Sequence, residues 1–197
     1  MFLIDALFGP SRAEVWSRLA AEMEGRYDSG SWLQGSKVEV DAGPWTITLD
    51  TYHVNKHTYT RLRAPYVNPA GFRFHVFREG FFAEIGKAFG MQDVDVGVRE
   101  FDDAWVVQGT DDARLVQLFR TDAIRQLLGA AGQVSFQVRD DEGWFGRRFP
   151  EGVDELILTT HGVVRDLPRL KVFFALFAET LDRLVEIRAA DRRDPGV

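Results

Sequence analysis

The last third of the chain narrows the possible folds more than any other part. An apolar run from Glu155 to Val164 gives way to a turn at Arg165-Asp166 and then to an amphipathic segment from Leu167 to about Arg188. In the first segment Ile157, Thr159 and His161 fall on one side of an extended chain and Leu156, Leu158 and Thr160 on the other, the period-two pattern of a strand. In the second, Leu170, Phe173, Phe174, Phe177, Leu181, Leu184 and Val185 recur at helical spacing, with Asp166 placed as N-cap and Pro168 in the first turn. A buried strand feeding a long helix that closes a core is the expectation. Nothing in this pair of segments carries chemistry.

Upstream the same two periods alternate. Ser11 and Glu14 have the spacing of a capping box ahead of Val15, Trp16, Leu19, Ala20 and Met23, which predicts a helix over about 12–26. From Lys37 the period becomes two: Val38 and Val40, a turn at Gly43-Pro44, then Trp45, Ile47 and Leu49 read as a half-buried hairpin. Strands follow at 59–67 and 72–77, divided by Asn68-Pro69-Ala70-Gly71, so four successive antiparallel strands are expected to form a meander. Phe81, Phe82, Ile85 and Phe89 mark one face of a short helix ended by Gly90. Val94, Val96 and Val98 alternate as a further strand, and Trp105-Val106-Val107 as another. Thr110-Asp111-Asp112 caps a helix that Thr121 restarts through Leu128, and Val134, Phe136 and Val138 alternate as the next strand. No linker divides the chain, so one domain over 1–190 is expected, followed by a polar, frayed tail at 191–197.

Composition excludes several functional classes. With 197 residues, 45% of them hydrophobic, the chain is long enough to bury about 70% of its unfolded surface in one core. Cysteine is absent, which removes disulfides, thiolate metal sites and cysteine nucleophiles. A net charge of −6 opposes the phosphate neutralisation that drives nucleic-acid binding. The opening Met1 to Phe8 is apolar but lacks a basic flank, contains Asp5 and stops at Gly9-Pro10, and no other segment approaches the ~20 apolar residues of a membrane span. A cytoplasmic protein without an integral membrane segment is the expectation.

No motif assembles a reactive centre. His53 and His57 have H-x-x-x-H spacing, but they fall across a strand end and a turn, without the adjacent glutamate of a metalloprotease helix. His161 would act as a base only if an acid oriented it. The G-x-S-x-G elbow and the phosphate-binding glycine loops are missing. Acidic groups at Asp93/Asp95, Asp102/Asp103, Asp111/Asp112 and Asp140/Asp141/Glu142 lack the calcium-loop pattern and read as caps and turns. No catalytic residue, metal ligand or cofactor is therefore assigned. Two places read as binding surfaces. The loop at 143–149 sets Trp144 and Phe145 beside Arg147 and Arg148, an apolar anchor joined to cations. Arg61 and Arg63 share one strand face and would meet an anion there.

Phe101-Asp102-Asp103-Ala104-Trp105-Val106-Val107, followed by Asp111-Asp112 and the helix from Leu115 to Leu128, resembles a pattern in a family of uncharacterised bacterial domains. The likeness spans about residues 70–188. It implies an F-D strand, an acidic turn, a helix, more strands and a closing helix, and it carries over no activity and no residue roles. Such domains often follow membrane spans, and this sequence contains none. The residues together point to an α+β domain with a largely antiparallel sheet, a long C-terminal helix across one face and shorter helices. The leading functional expectation is a non-enzymatic binding or protein-interaction module with a protein or small-molecule partner. A carrier of a small apolar ligand between sheet and helices is the alternative, and a hydrolase-type enzyme using a histidine and a carboxylate is the third.

Overall fold

The computed structural model describes residues 9–31, 35–78, 92–140 and 149–197. Among these the chain is α+β, with nine strands in one antiparallel sheet and five helices. In order they are α1 (Arg12–Glu22), β1 (Arg26–Asp28), β2 (Lys37–Ala42), β3 (Trp45–Val54), β4 (His57–Val67), β5 (Phe74–Phe77), β6 (Gln92–Asp93), α2 (Arg99–Asp102), β7 (Val106–Gly109), α3 (Asp112–Phe119), α4 (Asp122–Ala131), β8 (Ser135–Arg139), β9 (Val153–His161) and α5 (Leu167–Glu186). The aromatic helix expected at 81–89 lies outside the described residues. No described helix is long and apolar enough to cross a membrane.

Local chemistry explains most boundaries. Ser11 and Glu14 form both bonds of the capping box at the start of α1, and Asp111 and Asp166 accept from Arg114 N and Arg169 N to cap α3 and α5. Thr121 occupies the N-cap of α4, but its side chain makes no capping bond. Val94, Val96 and Val98 do not form the expected strand; only the two residues before them, β6, pair in the sheet. The Asp102 carboxylate explains the loss, because it accepts from the amides of Val96, Gly97 and Val98 at 2.8–3.0 Å and removes them from any ladder.

The expected four-strand meander holds only as far as β4. The sheet order is β1-β2-β3-β4-β9-β8-β5-β7-β6, so β9 and β8 stand between β4 and β5 and hold them roughly 14 Å apart, three strand spacings. The turn at Asn68 therefore starts a crossover and not a hairpin. Buried Asn68 brackets Phe72, accepting from its amide at 3.1 Å and donating Nδ2 to its carbonyl at 2.9 Å. The same Nδ2 donates to Asp154 on β9 at 2.5 Å, and Arg73 reaches Asp154 and Asp140. Side-chain polarity thus anchors a turn whose strand partners come from far along the chain.

Among the described residues, the helices pack on one face of the sheet. Phe74 on β5 meets Phe119 of α3 edge-on at 5.4 Å and Phe136 of β8 at 5.6 Å, and Phe136 meets Phe177 of α5 at 5.6 Å. Trp16 of α1 is fully buried and donates its indole N–H to the Val164 carbonyl. At the chain end Asp191 bridges to Val67, and Arg192 pairs with Asp182 of α5.

Asn68→Ala removes a buried hub, strands the Phe72 amide and leaves the Asp154 carboxylate with Arg73 alone. The expected cost is about 3 kcal/mol of stability, read as a lower urea midpoint at unchanged slope. A loss below about 1 kcal/mol would show that the crossover does not depend on this side chain.

Candidate functional site

Strand pairing decides which side chains share the second face of the sheet, the one turned away from the Phe136–Phe177 contact. Since side chains alternate, the residues adjoining Phe136, Leu158 and Leu62 point the other way. One row on that second face runs Asp50, Arg61, Thr159, Ser135, Phe77, and the next runs Thr48, Arg63, Ile157, Gln137, His75. A third places Pro65, Glu155 and Arg139 side by side. Chemistry-bearing residues from five strands meet here, brought together from the two ends of the chain by the pairing of β4 with β9 and of β8 with β5.

Several of these groups are withdrawn from solvent. Glu155 and Ser135 are each 1% exposed and His75 is 3% exposed. Arg61 forms a bidentate pair with Asp50 at 2.9 and 2.8 Å, the Arg63 guanidinium reaches the same carboxylate at 3.3 Å, and its other end lies 4.0 Å from Glu155. Arg139 stands opposite Glu155 in the register yet forms no ion pair with a described residue. Its charge is felt by its neighbours. It helps to lower the His75 imidazole, whose larger cause is burial, and it opposes the upward shift that burial imposes on the Tyr52 phenol.

Beside Arg139 the face opens into a cavity of about 270 Å³. Among the described residues its walls are Tyr52 and Val54 from β3, Arg61 from β4, Gln137 and Arg139 from β8, and Ile157 and Thr159 from β9. Arg61 lies over the Tyr52 ring at 5.3 Å, which adds a cation–π contact to the Asp50 pair and holds the ring as a wall. Another cavity, of about 370 Å³, lies near Trp105 and Arg78, but Glu100 and Asp122 share its lining with Arg78 and Arg125 so the two signs balance. The Tyr52 cavity has cations and no acid in its described lining.

Of the residues singled out from sequence, Arg61 and Arg63 stand on this face, though both are engaged with Asp50. Trp144, Phe145, Arg147 and Arg148 lie outside the described residues. His53 and His57 do not share a face: His53 sits on the helix side beside Thr58, its Nδ1 2.9 Å from Thr58 Oγ1, whereas His57 is on the second face with Nδ1 3.3 Å from Nε2 of His161. No described carboxylate hydrogen-bonds to His53, His57 or His161. Among the described residues no group of three or more histidine or acidic side chains converges as a metal centre. The acidic pairs serve locally: Asp93 accepts from Gln108, Asp102 gathers three amides, Asp111 caps α3 and Asp140 pairs with Arg73. Sequence reading passed over Tyr52, Gln137 and Arg139. The alternation of Val134, Phe136 and Val138 already implied that Gln137 and Arg139 face away from the core, but not what they would face.

No family model matches the chain, and no curated protein matches it. Among solved structures, the crystal structure of the mycobacterial trehalose monomycolate transport factor A, TtfA, is similar, with a TM-score of 0.48 and 7% identity over 88% of this chain and 94% of that one. A likeness at this level assigns neither fold nor activity to the present chain.

His75 carries a pH dependence of its own. Burial, helped by Arg139, lowers its imidazole from an ordinary 6.5 to about 4, so it is neutral in the fold and takes up a proton more readily in the unfolded chain. Its contribution is fully present above pH 6.5, is lost as pH falls, and stops changing below about pH 4. Between pH 7 and 4 the parent should lose about 3 kcal/mol more stability than His75→Gln, measured by urea unfolding at each pH. Parallel curves for the two proteins would rule this out.

Proposed function

We propose that this protein is a non-enzymatic binding module whose second sheet face takes a small organic anion. Arg139 carries the reading: a guanidinium that lines a cavity, is half-withdrawn from water and forms no ion pair with a described residue. A partly desolvated cation outside any described ion pair is where an incoming carboxylate gains most, because it adds a charge-assisted hydrogen bond. Tyr52, Val54 and Ile157 supply apolar wall, and Gln137 and Thr159 supply amide and hydroxyl groups that would orient the bound molecule. At about 270 Å³ the cavity suits a ligand the size of an aromatic or short branched carboxylate.

Benzoate and its neutral counterpart benzamide serve as probes, followed by amide and guanidinium NMR shifts. Saturable shifts at Tyr52, Gln137 and Arg139 are expected with benzoate, a far weaker response with benzamide, and a loss of about tenfold or more in affinity, roughly 1.4 kcal/mol, in Arg139→Gln. Equal response to the two probes, or undiminished benzoate binding by Arg139→Gln, would rule out the anion reading.

A further inference from the structure

We propose that His57 and His161 form a two-imidazole site for a divalent first-row metal ion, with Zn²⁺ and Cu²⁺ as its natural occupants. The two residues are 104 positions apart in sequence, and the pairing of β4 with β9 brings His161 Nε2 to 3.3 Å from His57 Nδ1. Both rings are exposed at the end of the sheet, where an ion and its remaining waters have open access. The separation matches a chelating bite. Two nitrogens bound tetrahedrally at the usual Zn–N length lie about 3.3 Å apart. The same two nitrogens are placed to share a hydrogen bond with each other, and a metal ion would take the place of that proton. Imidazole nitrogen is a ligand that Zn²⁺ and Cu²⁺ favour, with Cu²⁺ the tighter binder in the general affinity order.

The surroundings hold the pair in place. Val54 and His57 close the β3–β4 hairpin around Asn55 and Lys56, whose φ values of 48° and 78° both lie in the left-handed region that a tight two-residue turn requires. On the other strand, Gly162 N donates to Thr58 O at 2.7 Å, Thr60 Oγ1 donates to Gly162 O at 2.8 Å and Val164 N donates to Thr60 Oγ1 at 2.9 Å. These bonds clamp the end of β9 to β4 directly beyond His161. The rings are steadied too: His161 packs edge-on against buried Tyr59 at 5.5 Å, and Tyr59 stacks on Tyr52 at 5.3 Å. With the metal bound, His57 keeps its proton on Nε2 and His161 on Nδ1, and each ring offers its facing nitrogen as ligand. Two protein ligands make an open, exchangeable site and leave the other positions to water.

This inference does not depend on the anion cavity, whose arginines and glutamine are not metal ligands. Its test is a calorimetric titration of untagged, chelator-treated protein with Zn²⁺ and Cu²⁺ alone, together with the electron paramagnetic resonance spectrum of the Cu²⁺ form. A saturable isotherm with one ion per chain is expected, with nitrogen hyperfine structure from two imidazoles. His57→Ala and His161→Ala should each weaken binding by more than about tenfold, while His53→Ala, on the opposite face, should leave it unchanged. Circular dichroism of the three variants checks that these exposed substitutions leave the fold intact. Absence of a saturable isotherm, an all-oxygen copper spectrum, or equal binding by His161→Ala would each overturn the site and leave a hydrogen bond only.

Discussion

Nine consecutive residue pairs join β4 to β9, from Tyr59 opposite His161 to Val67 opposite Val153, and every other feature of the molecule depends on that ladder. β4 belongs to a local meander built from hairpins, whereas β9 belongs to the C-terminal strand and helix. Their pairing closes a loop of about a hundred residues, a costly step for the unfolded chain that only extensive burial offsets. Eight of the nine β9 residues are buried, and the helix side of the seam is continuous with the aromatic layer under α5. One register therefore sets the core on one face and the polar arrangement on the other. A slip of one residue would exchange the two.

Ion pairs tie neighbouring strands together on the second face. Asp50 sits between Arg61 and Arg63, and its bidentate geometry with Arg61 is of the strong, directional kind. Glu155, almost wholly buried, faces Arg63 at the edge of ion-pair range. Arg139, by contrast, forms no ion pair with a described residue. Its charge lines the cavity beside Tyr52, adds to the lowering that burial imposes on the His75 imidazole and opposes the rise that burial imposes on the Tyr52 phenol.

Elements whose determinants are local were legible in the sequence. The capping box at Ser11 and Glu14, the N-caps at Asp111 and Asp166, the apolar spacing of α5 and the alternation in β2, β3, β8 and β9 all act within a few residues, so reading along the chain finds them. Misreadings arose where a side chain competed for backbone amides, as Asp102 does with Val96 to Val98, or where a turn was taken for a hairpin, as at Asn68. In the candidate site Arg61 and Arg63 were recognised as sharing a face. Their neutralisation by Asp50 was not, although Asp50 stands on the adjoining strand, because the register of the β3–β4 hairpin settles which acid faces which base.

The sequence by itself determined an α+β chain, the positions of its main strands and helices, the closing role of α5 and the absence of any thiol chemistry. These follow from periodicity, capping and composition, which are properties of neighbouring residues. Only the tertiary structure decided that β9 and β8 insert between β4 and β5, that Arg139 and Tyr52 line one cavity, and that His57 meets His161 while His53 turns away. Strand order and register are settled by which long-range pairing buries the most apolar surface, and that competition among distant segments leaves no mark on the local pattern of residues.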